Sequence, residues 1–370
     1  MKTFFMQTKT YNLIALILCA MAFASCSKTD VPNLLEEGKN AFYAADYVKA
    51  KEAFEKCAKE DDSQGQFWLA YLTFYTHDSE TDSLAMSQEE AKYAFDLYKK
   101  SADQNDGDGY FGMAACYMTG YGVTKDESKF IECIDKSAEL NSSFGKASKG
   151  KRLIDKGGAN NIERGIALIK ESAEAGNYFG KTLLGACYMD GIGVPADVNK
   201  GLGLLIESAN HNDRDANSAL ARLYYSGMKT IPEDKVKAFK YAEKGVSDGM
   251  THFILCMCYY KGEGTKKDER SAAYHARRSA EYGFASGQTF WGFFCEKGYG
   301  TKEEAFNWYM KAAEQGEAYS IAAVGKYYLT GLAGKIDFAL AKKYLQKAAS
   351  MGVKTAQDLL SEYSLILSIF

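Results

Sequence analysis

Apolar residues along this chain recur at three- and four-residue spacing, and no stretch shows the two-residue alternation of a half-buried strand. That pattern predicts helices throughout, and two fixed marks divide them into a series. The first is a small-residue pair that closes one helix: Ser101-Ala102, Ser137-Ala138, Ser172-Ala173, Ser208-Ala209, Ser279-Ala280, Ala312-Ala313 and Ala348-Ala349, with Gly245-Val246 in the remaining slot. Successive spacings of the second residue are 36, 35, 36, 37, 34, 33 and 36. The second mark is a glycine after an aromatic-rich helix, at Gly120, Gly191, Gly227, Gly262, Gly298 and Gly331, often followed two residues later by another (Gly122, Gly193, Gly264, Gly300). A fixed period of this length is the signature of a repeat architecture.

Each unit reads as helix A, glycine loop, helix B and short turn. Left-handed backbone angles at a loop glycine let the chain leave helix A cheaply. Six residues after that glycine stands an acid, at Asp126, Asp197, Glu233, Asp268, Glu304 and Asp337, a position from which an Asp caps helix B. Three residues before the glycine come Tyr117, Tyr188, Tyr224, Tyr259 and Tyr328, with Cys295 as the exception. Six before it come Ala114, Gly185, Ala221, Cys256, Gly292 and Gly325. A small row lets helices approach while a large row fills the space between repeats. The predicted fold is all-α, an α-solenoid of stacked helix-turn-helix repeats forming a curved superhelix.

Stretches such as Leu184-Gly185-Ala186-Cys187-Tyr188-Met189-Asp190-Gly191-Ile192-Gly193-Val194 and Lys311-Ala312-Ala313-Glu314-Gln315-Gly316 resemble the Sel1-like repeat family, relatives of the tetratricopeptide repeat. The resemblance covers 107–352. The fourth unit departs most, with Leu153-Ile154-Asp155-Lys156-Gly157-Gly158 in place of the aromatic ending, so its helix A is expected to pack less well or to turn the superhelix. Residues 34–106 read as N-terminal tetratricopeptide-like repeats carrying Gly38, Ala41-Phe42, Asp46-Tyr47, Ala50 and Phe54, with a polar insertion at 77–87. Residues 353–370 read as a C-terminal capping helix.

The first residues are of another kind. Lys2 and Lys9 precede an apolar run from Leu13 to Ala24, too short to span a bilayer as a helix, which places a secretory signal at 1–25. Phe23-Ala24-Ser25-Cys26 resembles the lipobox of bacterial lipoproteins, which implies lipidation at Cys26 and a lipidated tether over 26–33. The implied location is the bacterial cell envelope, with a lipid anchor in the membrane, the outer membrane as the expected one, and either the periplasmic or the surface-exposed side open.

Loss of 1–25 removes two lysines and no acids, leaving 43 basic against 48 acidic side chains, so nucleic acid is not an expected partner. Gly145-Lys146-Ala147-Ser148-Lys149-Gly150-Lys151-Arg152 approaches a phosphate-binding loop, but Arg152 replaces the magnesium-binding hydroxyl and no strand precedes it. The seven cysteines beyond Cys26 (Cys57, Cys116, Cys133, Cys187, Cys256, Cys258, Cys295) are an odd number without a regular pair in each repeat and read as core residues. His77, His211, His252 and His275 show no ligand spacing with one another or with cysteines. No cofactor or metal is expected, no catalytic residue is recognised, and the chain is not expected to be an enzyme.

The variable row of helix A, five residues before the loop glycine, reads Ala115, Ala186, Arg222, Met257, Phe293 and Lys326. In the related superhelices the A helices line the concave surface. Arg222, Met257, Phe293 and Lys326, at half-exposed positions and with Trp291 nearby, are therefore the candidate ligand groove. The expected function is a non-catalytic protein–protein interaction scaffold with protein partners in the envelope. A glycan or peptidoglycan receptor is the second reading, and a cell-wall hydrolase the third.

Overall fold

The computed structural model describes residues 30–77, 86–228, 230–246, 248–332, 334 and 336–369, and these described residues form twenty α-helices. Among the described residues there is no strand, only an isolated bridge between Met228 and Ile231. The signal at 1–25, the first half of the tether including Cys26, and most of the 77–87 insertion lie outside the described residues. Among those described, no helix is long and apolar enough to cross a membrane.

The helices form nine A/B pairs and a two-helix end. In order the pairs are α1 (Val31–Tyr43) with α2 (Tyr47–Lys59), α3 (Ser63–His77) with α4 (Gln88–Asp103), α5 (Gly107–Thr119) with α6 (Glu127–Glu139), and α7 (Ser143–Lys156) with α8 (Ala159–Glu174). Then come α9 (Tyr178–Asp190) with α10 (Val198–Asn210), α11 (Arg214–Ser226) with α12 (Lys235–Lys244), and α13 (Gly249–Lys261) with α14 (Glu269–Glu281). The last are α15 (Ala285–Phe294) with α16 (Lys302–Glu314) and α17 (Ala318–Thr330) with α18 (Phe338–Ser350). The end consists of α19 (Lys354–Glu362) and α20 (Ser364–Leu367). The chain divides into two compact units, unit 1 to Gly180 and unit 2 from Lys181.

The recurring residues are the joints of the repeat. Asp126, Asp197, Asp268 and Asp337 cap their B helices, each side chain accepting the N–H of the residue three further on. In the same copies the backbone N–H of that Asp donates to the carbonyl of the row tyrosine (Tyr117, Tyr188, Tyr259, Tyr328) at 2.8–3.0 Å, which ties loop to helix A. Two copies depart from the expected acid. Asp234 caps α12 in place of Glu233, because the loop after Gly227 is one residue longer and pinned by the Met228–Ile231 bridge. Thr301 caps α16, with Glu304 reaching back as the partner of a capping box.

The row tyrosines sit between successive B helices. Tyr259 meets Phe239 of the preceding B helix at 5.3 Å and stacks on His275 of its own at 5.7 Å, and Tyr328 does the same with Phe306 and Tyr344. The closing serines act across each pair: Ser137, Ser172 and Ser279 are fully buried and donate to the carbonyls of Gly107, Ser143 and Gly249, the first residues of their own A helices, at 2.6–2.7 Å. The second loop glycine has a packing reason as well. A Cβ at Gly264 (φ +80°) would lie 2.3 Å from the Lys235 carbonyl oxygen of the preceding B helix.

The fourth pair differs from expectation. Its long loop is gone, and α7 turns directly into α8 through Gly157 and Gly158. The pair is close, because a Cβ at Gly150 or at Gly165 would lie 2.6 Å from the other's carbonyl oxygen. Small residues facing one another replace the missing aromatic. The phosphate-loop-like stretch is part of α7, a helix rather than a loop, and its cations are paired: Lys146 with Glu171, and Lys149 and Arg152 with Asp135.

Candidate functional site

The A helices of the two units present different surfaces. In unit 1 they converge on their own aromatic rings. Phe42 and Tyr43 of α1, Phe67, Trp68 and Tyr71 of α3, Phe111 of α5 and Phe144 of α7 form one cluster, with Phe111 stacked on Phe144 at 5.0 Å and Trp68 at 5.5 Å from Phe42. Tyr43 also meets Tyr178, at the start of α9, at 5.1 Å. Offset and edge-to-face pairs of this kind fill space with large apolar area. The rings there pack against one another.

In unit 2 the A helices leave a cleft. Tyr260 of α13, Thr289, Phe290 and Phe293 of α15, and Tyr319 and Ala323 of α17 line a cavity of about 280 Å³, floored by Tyr309 of α16. Eight residues before the loop glycine α15 carries Phe290, whereas α17 carries Ala323, so the ring has no equally large counterpart in the next repeat. Tyr260 meets Phe293 edge-on at 5.8 Å, and Tyr319 is 67% exposed at the mouth.

Polar groups in this wall are few and partly committed. The Thr289 hydroxyl lies 3.0 Å from the Ala285 carbonyl and 2.7 Å from Ser320 Oγ. The Tyr309 hydroxyl donates to Glu296 at 3.2 Å. Glu296 belongs to a π-helical turn, Cys295–Tyr299, that ends helix A in the one copy whose row tyrosine is a cysteine. Two ammonium groups edge the rings: Lys297 is 5.9 Å from the Tyr260 centroid and 5.5 Å from Phe293, and Lys267 is 5.7 Å from Tyr260. Lys297 also pairs with Glu269 at 2.6 Å.

Of the five residues named from sequence, Phe293 lines this cleft. Arg222 pairs with Asp248 at 3.5 Å, and Lys326 is exposed on α17. Met257, expected at a half-exposed position, is buried at 9% exposure. Trp291 is half-buried between neighbouring cores with the Arg277 guanidinium 5.9 Å from its ring. Single-row reasoning missed Phe290, Tyr319 and Ala323. The signal that finds them is a comparison of side-chain volume across several rows of the A helix at once.

The histidines also depart from their sequence spacing. His252 of α13 and His275 of α14 are 23 residues apart in sequence, yet helix pairing brings their Nδ1 atoms to 3.0 Å. Tyr259 stacks on His275 and Tyr282 lies 5.5 Å from His252. Burial pushes His252 down to about 3 and His275 down to about 4, with His275 and Arg278 adding to the shift of His252, and Arg278 to that of His275. Among the described residues no group of three or more His, Cys, Asp or Glu side chains is placed to hold a metal ion. The seven cysteines are buried and free; burial pushes Cys116 up to about 12 and Cys133, Cys258 and Cys295 up to about 11.

Helix pairs joined in this way, with rows kept in register, define an all-α solenoid. The sequence matches the Sel1 repeat over residues 85–106, 107–142, 181–213, 214–250, 251–283, 285–317 and 318–353, more than half of the chain, and the chain belongs to that family. Sel1 repeat proteins are generally protein-interaction scaffolds and generally non-catalytic. Among curated relatives, Chitin synthase regulator SKT5 of Saccharomyces cerevisiae is 25% identical over 62% of this chain and 35% of its own length. Chitin synthase regulatory factor 3 of Schizosaccharomyces pombe is 29% identical over 60% of this chain and 25% of its own length. The chain thus spans about a third or less of these relatives. Among solved structures, a protective antigen present in uropathogenic Escherichia coli strains, displaying an SLR fold, is 25% identical with a TM-score of 0.51, covering 90% of this chain and 72% of the other.

Proposed function

We propose that this chain is a non-catalytic scaffold, anchored by lipid at Cys26 in a bacterial cell envelope, that holds a protein partner through the A-helix surface of unit 2. The observation that carries the reading is the aromatic cleft shared by α13, α15 and α17. Fully burying a Leu- or Phe-sized side chain in such a wall contributes roughly 1.5–3 kcal/mol. A sugar ring fits less well. Two of the four side-chain hydroxyls lining the cleft, those of Thr289 and Tyr309, are engaged within the protein, and each sugar hydroxyl left unsatisfied costs about 1–3 kcal/mol. This favours a polypeptide over a glycan. Names of the yeast relatives as regulators fit a role exerted through another protein.

The test uses the full chain in intact cells, with a photo-crosslinking amino acid replacing the exposed Tyr319. A defined protein adduct is expected, and filling the cleft with Ala323→Phe should abolish it. Adducts unchanged by Ala323→Phe, or adducts with polysaccharide alone, would overturn the reading. Cys26→Ser should release the chain from the membrane fraction; firm retention of a processed, unlipidated chain would contradict the anchor.

A further inference from the structure

We infer that the cleft of unit 2 selects a peptide segment in which a bulky apolar side chain is followed closely by an acidic residue. This rests on the reading of the cleft as a protein-docking site and adds the chemistry of what docks. The apolar half of the specificity comes from the wall: Tyr260, Phe290, Phe293 and Tyr319 enclose about 280 Å³, room for one large side chain. The acidic half comes from the rim. Lys267 and Lys297 both lie within 6 Å of the Tyr260 centroid, and Lys297 is paired with Glu269. Glu296 accepts from the Tyr309 hydroxyl on the floor. Lys267 is exposed and makes no ion pair among the described residues, so an uncompensated ammonium stands beside the Tyr260 wall. An anion placed one residue beyond a seated side chain meets this ammonium, and a cation there is repelled by it.

The protein contains a built-in contrast. In unit 1 the corresponding helices bring Phe67, Trp68, Phe111 and Phe144 together, so the rings there have one another as partners. In unit 2 Phe290 and Ala323 line an open cavity instead, and a side chain from outside fills it.

The experiment screens a random peptide library against the mature chain. It then compares, by fluorescence polarisation, a labelled Gly-Ser-Leu-Glu-Glu-Gly peptide with its Gly-Ser-Leu-Lys-Lys-Gly counterpart. Selected peptides should pair Leu, Phe or Trp with Asp or Glu, and the acidic probe should bind roughly tenfold more tightly at low salt, the scale of one or two partly screened charge contacts. Lys267→Glu should remove that preference without weakening an uncharged Gly-Ser-Leu-Gly-Ser-Gly probe. Tyr319→Ser, at an exposed position that does not endanger folding, should weaken all three, as should Ala323→Phe. Equal binding of both charged probes, or preference for the basic one, overturns the acidic selectivity while leaving a protein-docking cleft in place. Binding of N-acetylglucosamine oligomers that Tyr319→Ser abolishes, with no peptide bound, overturns both.

Discussion

Acidification should destabilise unit 2 through its buried histidine pair. With Nδ1 atoms 3.0 Å apart, one ring donates to the other and both are neutral. The charged groups around the pair do little to favour protonation: Arg278 opposes it and is paired with Glu281, and the Asp248 carboxylate is engaged by Thr251 and Arg222. An unfolded histidine takes its proton near 6.5, whereas these hold out until about 3 and about 4. The stability contributed by the neutral pair is thus fully present above pH 6.5 and is lost as pH falls toward those values. At pH 5 each histidine lies about 1.5 pH units below its unfolded pKa, which costs about 2 kcal/mol, or about 4 together. Asp213 works the other way. Burial pushes its carboxyl up to about 6, so its folded form gains a proton first and offsets roughly 1.4 kcal/mol at pH 5. A net loss of about 2–3 kcal/mol is expected between pH 7.5 and 5. Urea unfolding followed through Trp291 and Trp308, both in unit 2, measures it. Replacing both histidines by Phe should abolish the acid loss and leave only the Asp213 contribution, a gain of roughly 1.4 kcal/mol at pH 5. The same slope in that double variant, or His252 or His275 imidazole resonances titrating near 6.5 in the folded chain, would refute the reasoning.

Three further outcomes follow from the joints of the repeat. Gly191→Val should lower stability by roughly 1–3 kcal/mol, since φ is +70° and the new Cβ would sit 3.3 Å from that of Ala196; thermal melting checks it. Ser279→Ala should lower stability by about 1–3 kcal/mol, because the buried Gly249 carbonyl loses its side-chain donor, and amide exchange should rise at the start of α13 rather than across unit 1. A thiol reagent at pH 8 should react slowly with the seven buried cysteines of the native chain and rapidly after unfolding; fast native labelling of Cys116 or Cys256 would contradict their burial.

The period, the helix pairing and the capping scheme were legible in the sequence, because each follows from contacts a residue makes within its own repeat. Asp126 caps α6 and hands its N–H to Tyr117 nine residues away, and every copy with the same spacing does likewise. Where loop length changed, local rules still supplied the answer: Asp234 and Thr301 took over as caps. The cleft was not legible in this way. Phe293 was visible as a variable row member, but whether a row is open or filled depends on volumes contributed by three helices at once, the small Ala323 among them. Met257 shows the same limit from the other side, since its row position is shared with Phe293 and Lys326 while its burial is set by its neighbours. His252 and His275 stand 23 residues apart, a separation without meaning as a ligand spacing, and meet because an antiparallel helix pair places them at the same height. Sequence periodicity determines which residues face the stack, and packing between repeats decides which of those faces are left open for a partner.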